Sequence, residues 1–110
     1  MTDELIPDRM PAHARLITDV CAITDRPFVE AVESRFAGYF NELAIAVKLR
    51  ADATDEDVIG LQNEFLRFFS GYELPADFTW KAEFMRGERK LRSLFPGDPP
   101  RQAGERLDDN

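Results

Sequence analysis

His13 and Cys21 are the only histidine and cysteine in this 110-residue chain, and together they are the nearest thing it has to a nucleophile and a base. A working thiol–imidazole pair needs hydrogen-bond reach. Eight residues apart on one helix, the two stand about two turns from each other, so each reads as a separate core or surface side chain. One histidine and one cysteine also cannot supply the ligand set of a structural zinc site. The carboxylates Asp52, Asp55, Glu56 and Asp57 invite a calcium reading. The EF-hand loop, however, requires glycine at its sixth position and glutamate at its twelfth, and counted from Asp52 those places hold Asp57 and Asn63. Helix capping explains these acids better, with Thr54 as N-cap and the carboxylates at the positive end of the helix dipole. The six glycines stand singly, which leaves no phosphate cradle.

Arg86, Arg89, Lys90 and Arg92 form the one basic cluster, preceded by Trp80 and Phe84. Such a stretch could face nucleic acid, yet Glu83 and Glu88 interrupt it. It suits equally the negative end of a helix dipole, or a contact with the acidic 52–57 segment. The net charge is −7, of which residues 51–77 alone carry −6, and such a balance opposes binding to a phosphate backbone. No catalytic, metal-binding or cofactor-binding residue is expected, and the chain reads as a non-enzyme.

Composition sets the frame that must position everything else. At 44% hydrophobic residues with nine phenylalanines, the chain collapses rather than staying disordered. Its length allows a single domain with a modest core. One cysteine provides no disulfide framework, no early apolar run resembles a signal peptide, and no stretch is apolar enough to span a bilayer. A soluble, cytoplasmic protein is expected. Arginine outnumbers lysine eleven to three, as in proteins from GC-rich bacteria.

Helical periodicity dominates the pattern, and the fold class expected is all-α: a long central helix over about 25–50 and three shorter helices. Pro11 opens a first helix that ends near Ile23. Phe28, Val32, Phe36, Tyr39, Phe40, Leu43, Ala46 and Val47 then fill one arc of a wheel, the width of a core-facing stripe. A helix over 25–50 would extend about 39 Å, far beyond the ~13 Å radius of gyration of a compact chain this size. It would protrude, form a spine or lean on a second copy. On its back, Ala31, Gly38 and Ile45 recur every seven residues, the spacing of a seam against another helix, either of the same chain or of a second one. After Thr54 a further helix runs to Gly71 with a wide apolar face. Over 78–84 the residues alternate with a strand-like period, whereas Trp80, Phe84, Leu91 and Phe95 keep helical spacing. With no second strand for pairing, helix is preferred there. Residues 1–7 read as a flexible arm, 8–95 as one helical domain and 96–110 as a flexible tail.

In size, acidity and layout, residues 11–95 resemble the small helical antiactivators that block LuxR-type quorum-sensing transcription regulators in bacteria. The resemblance implies a regulator that binds and inhibits a transcription factor, and it carries over no functional residue. From the residues themselves, the expected partner-binding surface is the apolar set Leu61, Phe65, Phe68, Phe69, Trp80 and Phe84, because large rings dominate interface energetics. The expected homodimer seam is Ala31, Gly38 and Ile45. Two other classes stay open: an acidic DNA-associated or DNA-mimicking protein, and a helical domain with a small ligand between its helices.

Overall fold

The computed structural model describes residues 10–38 and 41–108. It overturns the all-α expectation: two helices lie with a four-stranded mixed sheet. In chain order the elements are α1 (Met10–Ile23), β1 (Val29–Ala37), β2 (Glu42–Leu49), α2 (Asp55–Gly71), β3 (Thr79–Arg86) and the short β4 (Arg89–Lys90). The strands lie in sequence order across the sheet. β1 and β2 are antiparallel, α2 carries the chain back so that β3 runs parallel to β2, and β4 returns antiparallel to β3.

The long helix expected over 25–50 is a β-hairpin. Between Glu42 and Leu49 the side chains alternate without exception, Leu43, Ile45, Val47 and Leu49 buried and Glu42, Ala44, Ala46 and Lys48 exposed. Alternation of that kind is the signature of a strand with one wet face. Across from it, Val32, Ser34 and Phe36 of β1 stand opposite Val47, Ile45 and Leu43. Gly38, expected on the back of the long helix, instead leaves β1 with φ of 62°. A side chain there would run into Asn41. Only glycine enters that left-handed region without strain, so residue 38 breaks the chain into two strands. The seam expected along Ala31, Gly38 and Ile45 dissolves with the helix: Ala31 faces outward, Ile45 inward, and Gly38 sits in the turn.

The helix expected over 78–95 is likewise β3 and β4. Its pairing partner is β2, whose residues from Glu42 to Leu49 match Thr79 to Arg86 one for one. The backbone groups of β3 are therefore satisfied on that side, which removes the objection to a strand. The two shorter helices form where expected. Thr54 caps α2, its side chain accepting from the Asp57 N–H while the Asp57 carboxylate accepts from the Thr54 N–H, a reciprocal capping box.

One apolar layer joins these pieces. Leu16 and Val20 of α1 and Val58, Leu61, Phe65 and Phe69 of α2 pack on the inner face of β2 and β3. Residues 96–108, expected as a flexible tail, fold back over the far side of β3. Leu94 exchanges backbone hydrogen bonds with Ala82 at 2.8 and 3.1 Å, the Arg92 N–H donates to Leu107 O at 2.8 Å, and Leu107 is buried. The expected arm over 1–7 lies outside the described residues.

Candidate functional site

The rings expected to meet a partner are the interior. Leu61, Phe65, Phe69, Trp80 and Phe84 are all buried, with Phe65 and Phe84 wholly inaccessible. Phe65 meets Phe84 edge-on at 5.5 Å, and Phe69 stacks on Trp80 at 4.2 Å. Phe68 is half-buried against the same cluster, at 5.0 Å from the Phe69 ring and 4.8 Å from Tyr72. These residues are brought together as a core, not as a surface. Sequence spacing placed Leu61, Phe65, Phe68 and Phe69 on α2 but could not say which side of the molecule they face, while Trp80 and Phe84 lie on β3 and not on the helix expected there.

The other residues with chemical potential are also accounted for. His13 is buried among rings, its imidazole 4.4 Å from Phe36 and 5.7 Å from Phe78, whereas Cys21 is exposed. The pair is thus separated in environment as well as in sequence. Asp55, Glu56 and Asp57 occupy the first turn of α2. Among the described residues no group of three His, Cys, Asp or Glu side chains is placed to hold a metal ion. Arg86, Arg89 and Arg92 are each tied to a carboxylate, respectively Asp55 at 2.8 Å, Asp108 at 3.0 Å and Glu105 at 2.9 Å. The link from Arg86 to Asp55 is the contact between basic cluster and acidic segment that the charge pattern allowed. These partners largely consume the basic cluster.

A different surface is left open. The outer face of the sheet carries Ala31, Glu33 and Arg35 from β1, Ala44, Ala46 and Lys48 from β2, and Lys81, Glu83 and Met85 from β3. No helix among the described residues covers it, and Met85 is 39% exposed. Ala44 and Ala46 are the small side chains at its centre, so the middle strand forms the floor of a shallow trough of about 530 Å³. Glu33 and Arg35 border the trough on one side, Lys81 and Glu83 on the other. A second hollow of about 270 Å³ continues toward Ala31, Lys48 and Met85.

The electrostatics of this face differ from those of the whole chain. Between the bulge of β1 and the end of β3 the carboxylates Glu33, Glu42 and Glu83 stand against Arg35, Lys48 and Lys81. With the exposed Glu30 in the bulge, the three strands carry one net negative charge on this side, within a chain of net charge −7. Lys81 and Glu83 form an ion pair of 2.9 Å along one strand. The Lys81 hydrogen bond holds the Glu83 carboxyl below its ordinary value, partial burial opposes it, and the charges of Lys81 and Lys90 add to the lowering. A shallow, small-residue surface with both signs at its borders and little net charge presents no cationic track for phosphates. It offers area to another protein. The signal that locates it is the period-two alternation over 42–49, with alanine in the polar phase at 44 and 46.

No helix among the described residues is long and apolar enough to cross a membrane. No protein-family model, curated protein or solved structure matches this chain.

Proposed function

We propose that the chain is a non-enzymatic regulatory protein of the bacterial cytoplasm that binds and inhibits another protein, with a transcription regulator as the partner class. Size and acidity support the antiactivator comparison. The all-helical layout on which that comparison also drew is not the layout adopted, so the contact surface is reassigned. The single observation that carries the reading is the uncovered outer face of the sheet, where the trough over Ala44 and Ala46 lies between oppositely charged borders. An interface of this kind suits a partner segment that sets apolar side chains on the alanine floor and matches each border charge. The exposed Cys21 accords with a reducing compartment.

The test is affinity capture from native lysate at moderate salt with the wild-type chain and with Ala46→Arg, which fills the trough without touching the core. The expected result is one stoichiometric protein partner held by the wild type and lost by the variant at unchanged thermal stability. Recovery of nucleic acid alone, or equal capture by both chains, overturns the proposal.

A further inference from the structure

The two sides of the sheet end differently. Beyond β3 the sheet is closed by β4, by Leu94 bridging to Ala82 and by residues 101–108. At the other side β1 is the last strand, and among the described residues no strand pairs with its outer edge. Val29 N–H donates to Arg26 O, and beyond it the outer edge of this nine-residue strand meets no other strand among the described residues, which makes it a ready template for another strand. Its burial is also incomplete. Val32 and Phe36 point to the core yet are only partly buried, while their neighbours Val47 and Leu43 on β2 are 2% exposed.

The charges on this edge say what would fit. Charged side chains on an edge strand normally discourage pairing. Glu30 lies in the bulge, and beyond it the outward-facing charges of β1 are Glu33 and Arg35, one of each sign, placed symmetrically about Ser34. Among the described residues neither has an ion-pair partner within the chain.

We propose that β1 pairs antiparallel with β1 of a second copy of this chain, about a two-fold axis through Ser34. In that register Glu33 stands opposite Arg35 of the second copy, and Arg35 opposite its Glu33. Val32 stands opposite Phe36 in both directions, and Ala31 opposite Ala37. One row thus joins unlike charges on the open face, and the other joins the half-buried side chains beside the core. The register is unique among its neighbours. A two-fold axis normal to the sheet keeps each face on its own side, so pairings change only in steps of two residues. One such step sets Glu33 against Glu33 of the second copy, and the opposite step sets Arg35 against Arg35. The strand is bounded for this pairing at both ends, by the bulge between Val29 and Ala31 and by the turn at Gly38. Joined this way, two four-stranded sheets become one continuous sheet of eight, with both open faces on the same side. This pairing does not depend on the function proposed above.

The experiment is sedimentation at low salt, where exposed charge pairs are least screened. The wild type should be a dimer. Glu33→Arg and Arg35→Glu should each weaken it about tenfold or more, because either change places two pairs of like charges opposite each other. Mixing the two single variants restores unlike pairs and should give a heterodimer, and the double variant Glu33→Arg/Arg35→Glu should dimerise as the wild type does. Both substituted side chains are exposed, so circular dichroism should show every variant folded. A wild-type monomer at about 100 µM, far above the Kd of any stable dimer, overturns the proposal. So does a wild-type dimer that both single variants leave intact, or a failure of the mixed variants to associate.

Discussion

The Arg101 Nε donates a hydrogen bond of 2.9 Å to the Gln62 Oε1 in the interior, joining residues 39 positions apart. The link is one of several. Gln62 Nε2 donates to Arg92 O at 3.3 Å, Arg101 Nη2 donates to Ser93 O at 3.1 Å, and Asn63 exchanges two hydrogen bonds with the Arg101 backbone at 2.6 and 2.9 Å. Burial, and after it the nearby Arg92, push the Arg101 guanidinium below its ordinary value, while Asp98 and Glu105 pull it back. Polar groups on the concealed side of α2 thus bind the returning C-terminal segment to the core.

Removing one end of that link strands the other. Arg101→Ala should destabilise the protein by about 1–3 kcal/mol, because the Gln62 carbonyl oxygen keeps its burial and loses its donor. Replacing both, as Arg101→Met with Gln62→Leu, should cost less than the sum of the single changes. Urea denaturation of the wild type, Arg101→Ala, Arg101→Met, Gln62→Leu and the double variant measures both differences.

Alanine in place of the central rings should act on folding rather than on binding. Phe65 and Phe84 are wholly buried, and Phe65→Ala should cost about 3–5 kcal/mol through lost packing and a cavity. A cost that large is a sizeable share of a small domain's total stability. Thermal unfolding should show the loss before any binding assay does.

Gly87 locks two loops at one end of the sheet. Its φ is +63°, its N–H donates to Leu49 O at 3.0 Å, and a Cβ there would lie 2.9 Å from the Ala51 Cβ and 3.3 Å from its Cα. Gly87→Ala should therefore cost upward of about 1–2 kcal/mol from the left-handed backbone alone. Ala51→Gly in the same chain should return only part of it, since the residue-51 backbone still crowds the new methyl and the left-handed strain persists. A double-mutant cycle by chemical denaturation checks this.

Acid should loosen the C-terminal segment through Glu105. Its carboxylate accepts the Gln102 N–H at 2.8 Å and the Arg92 Nη1 at 2.9 Å. The backbone hydrogen bond is the largest cause holding its carboxyl below the ordinary 4.5, burial opposes, and Arg92 and Arg101 add to the lowering. A folded-state value below the unfolded one means that the unfolded chain takes up the proton first. The stabilisation is then full above pH 4.5 and is lost as pH falls below it toward the folded-state value. Between pH 7 and about pH 3.5 the urea midpoint of Glu105→Gln should fall less than that of the wild type.

How far the sequence revealed this molecule depends on which periodicity each segment obeyed. α1 ends at Ile23 and α2 begins after Thr54 and closes at Gly71, as capping chemistry and helical spacing indicated. The hairpin was hidden because Phe28, Val32, Phe36, Leu43 and Val47 satisfy a helical stripe, while Ala44 and Ala46 are small enough to read as either phase. The decisive clue was Leu43, Ile45, Val47 and Leu49 in strict alternation. With 42–49 taken as helix, the alternation over 78–84 has no neighbour to pair with, and helical spacing outweighs it; β2 is that neighbour. The candidate site followed the same fate. The rings were recognised as the strongest apolar feature, but a helix wheel cannot distinguish a docking face from a face that packs on an unrecognised sheet. The buried Arg101 and Leu107 lie among prolines and charges, where local pattern carries no sign that Arg101 meets Gln62, 39 positions away, or that Leu107 pairs with Arg92.

The stacking of Trp80 on Phe69 also furnishes an optical gauge. Trp80 is the single tryptophan, its indole lies 4.2 Å from the Phe69 ring at 14° between planes, and it sits on the side of the sheet away from the trough. Emission from this one fluorophore should shift to the red when the interior takes up water, yet stay constant when something settles over the alanines. The unlabelled protein can therefore tell an experimenter whether a substitution has ruined the scaffold or merely emptied its surface.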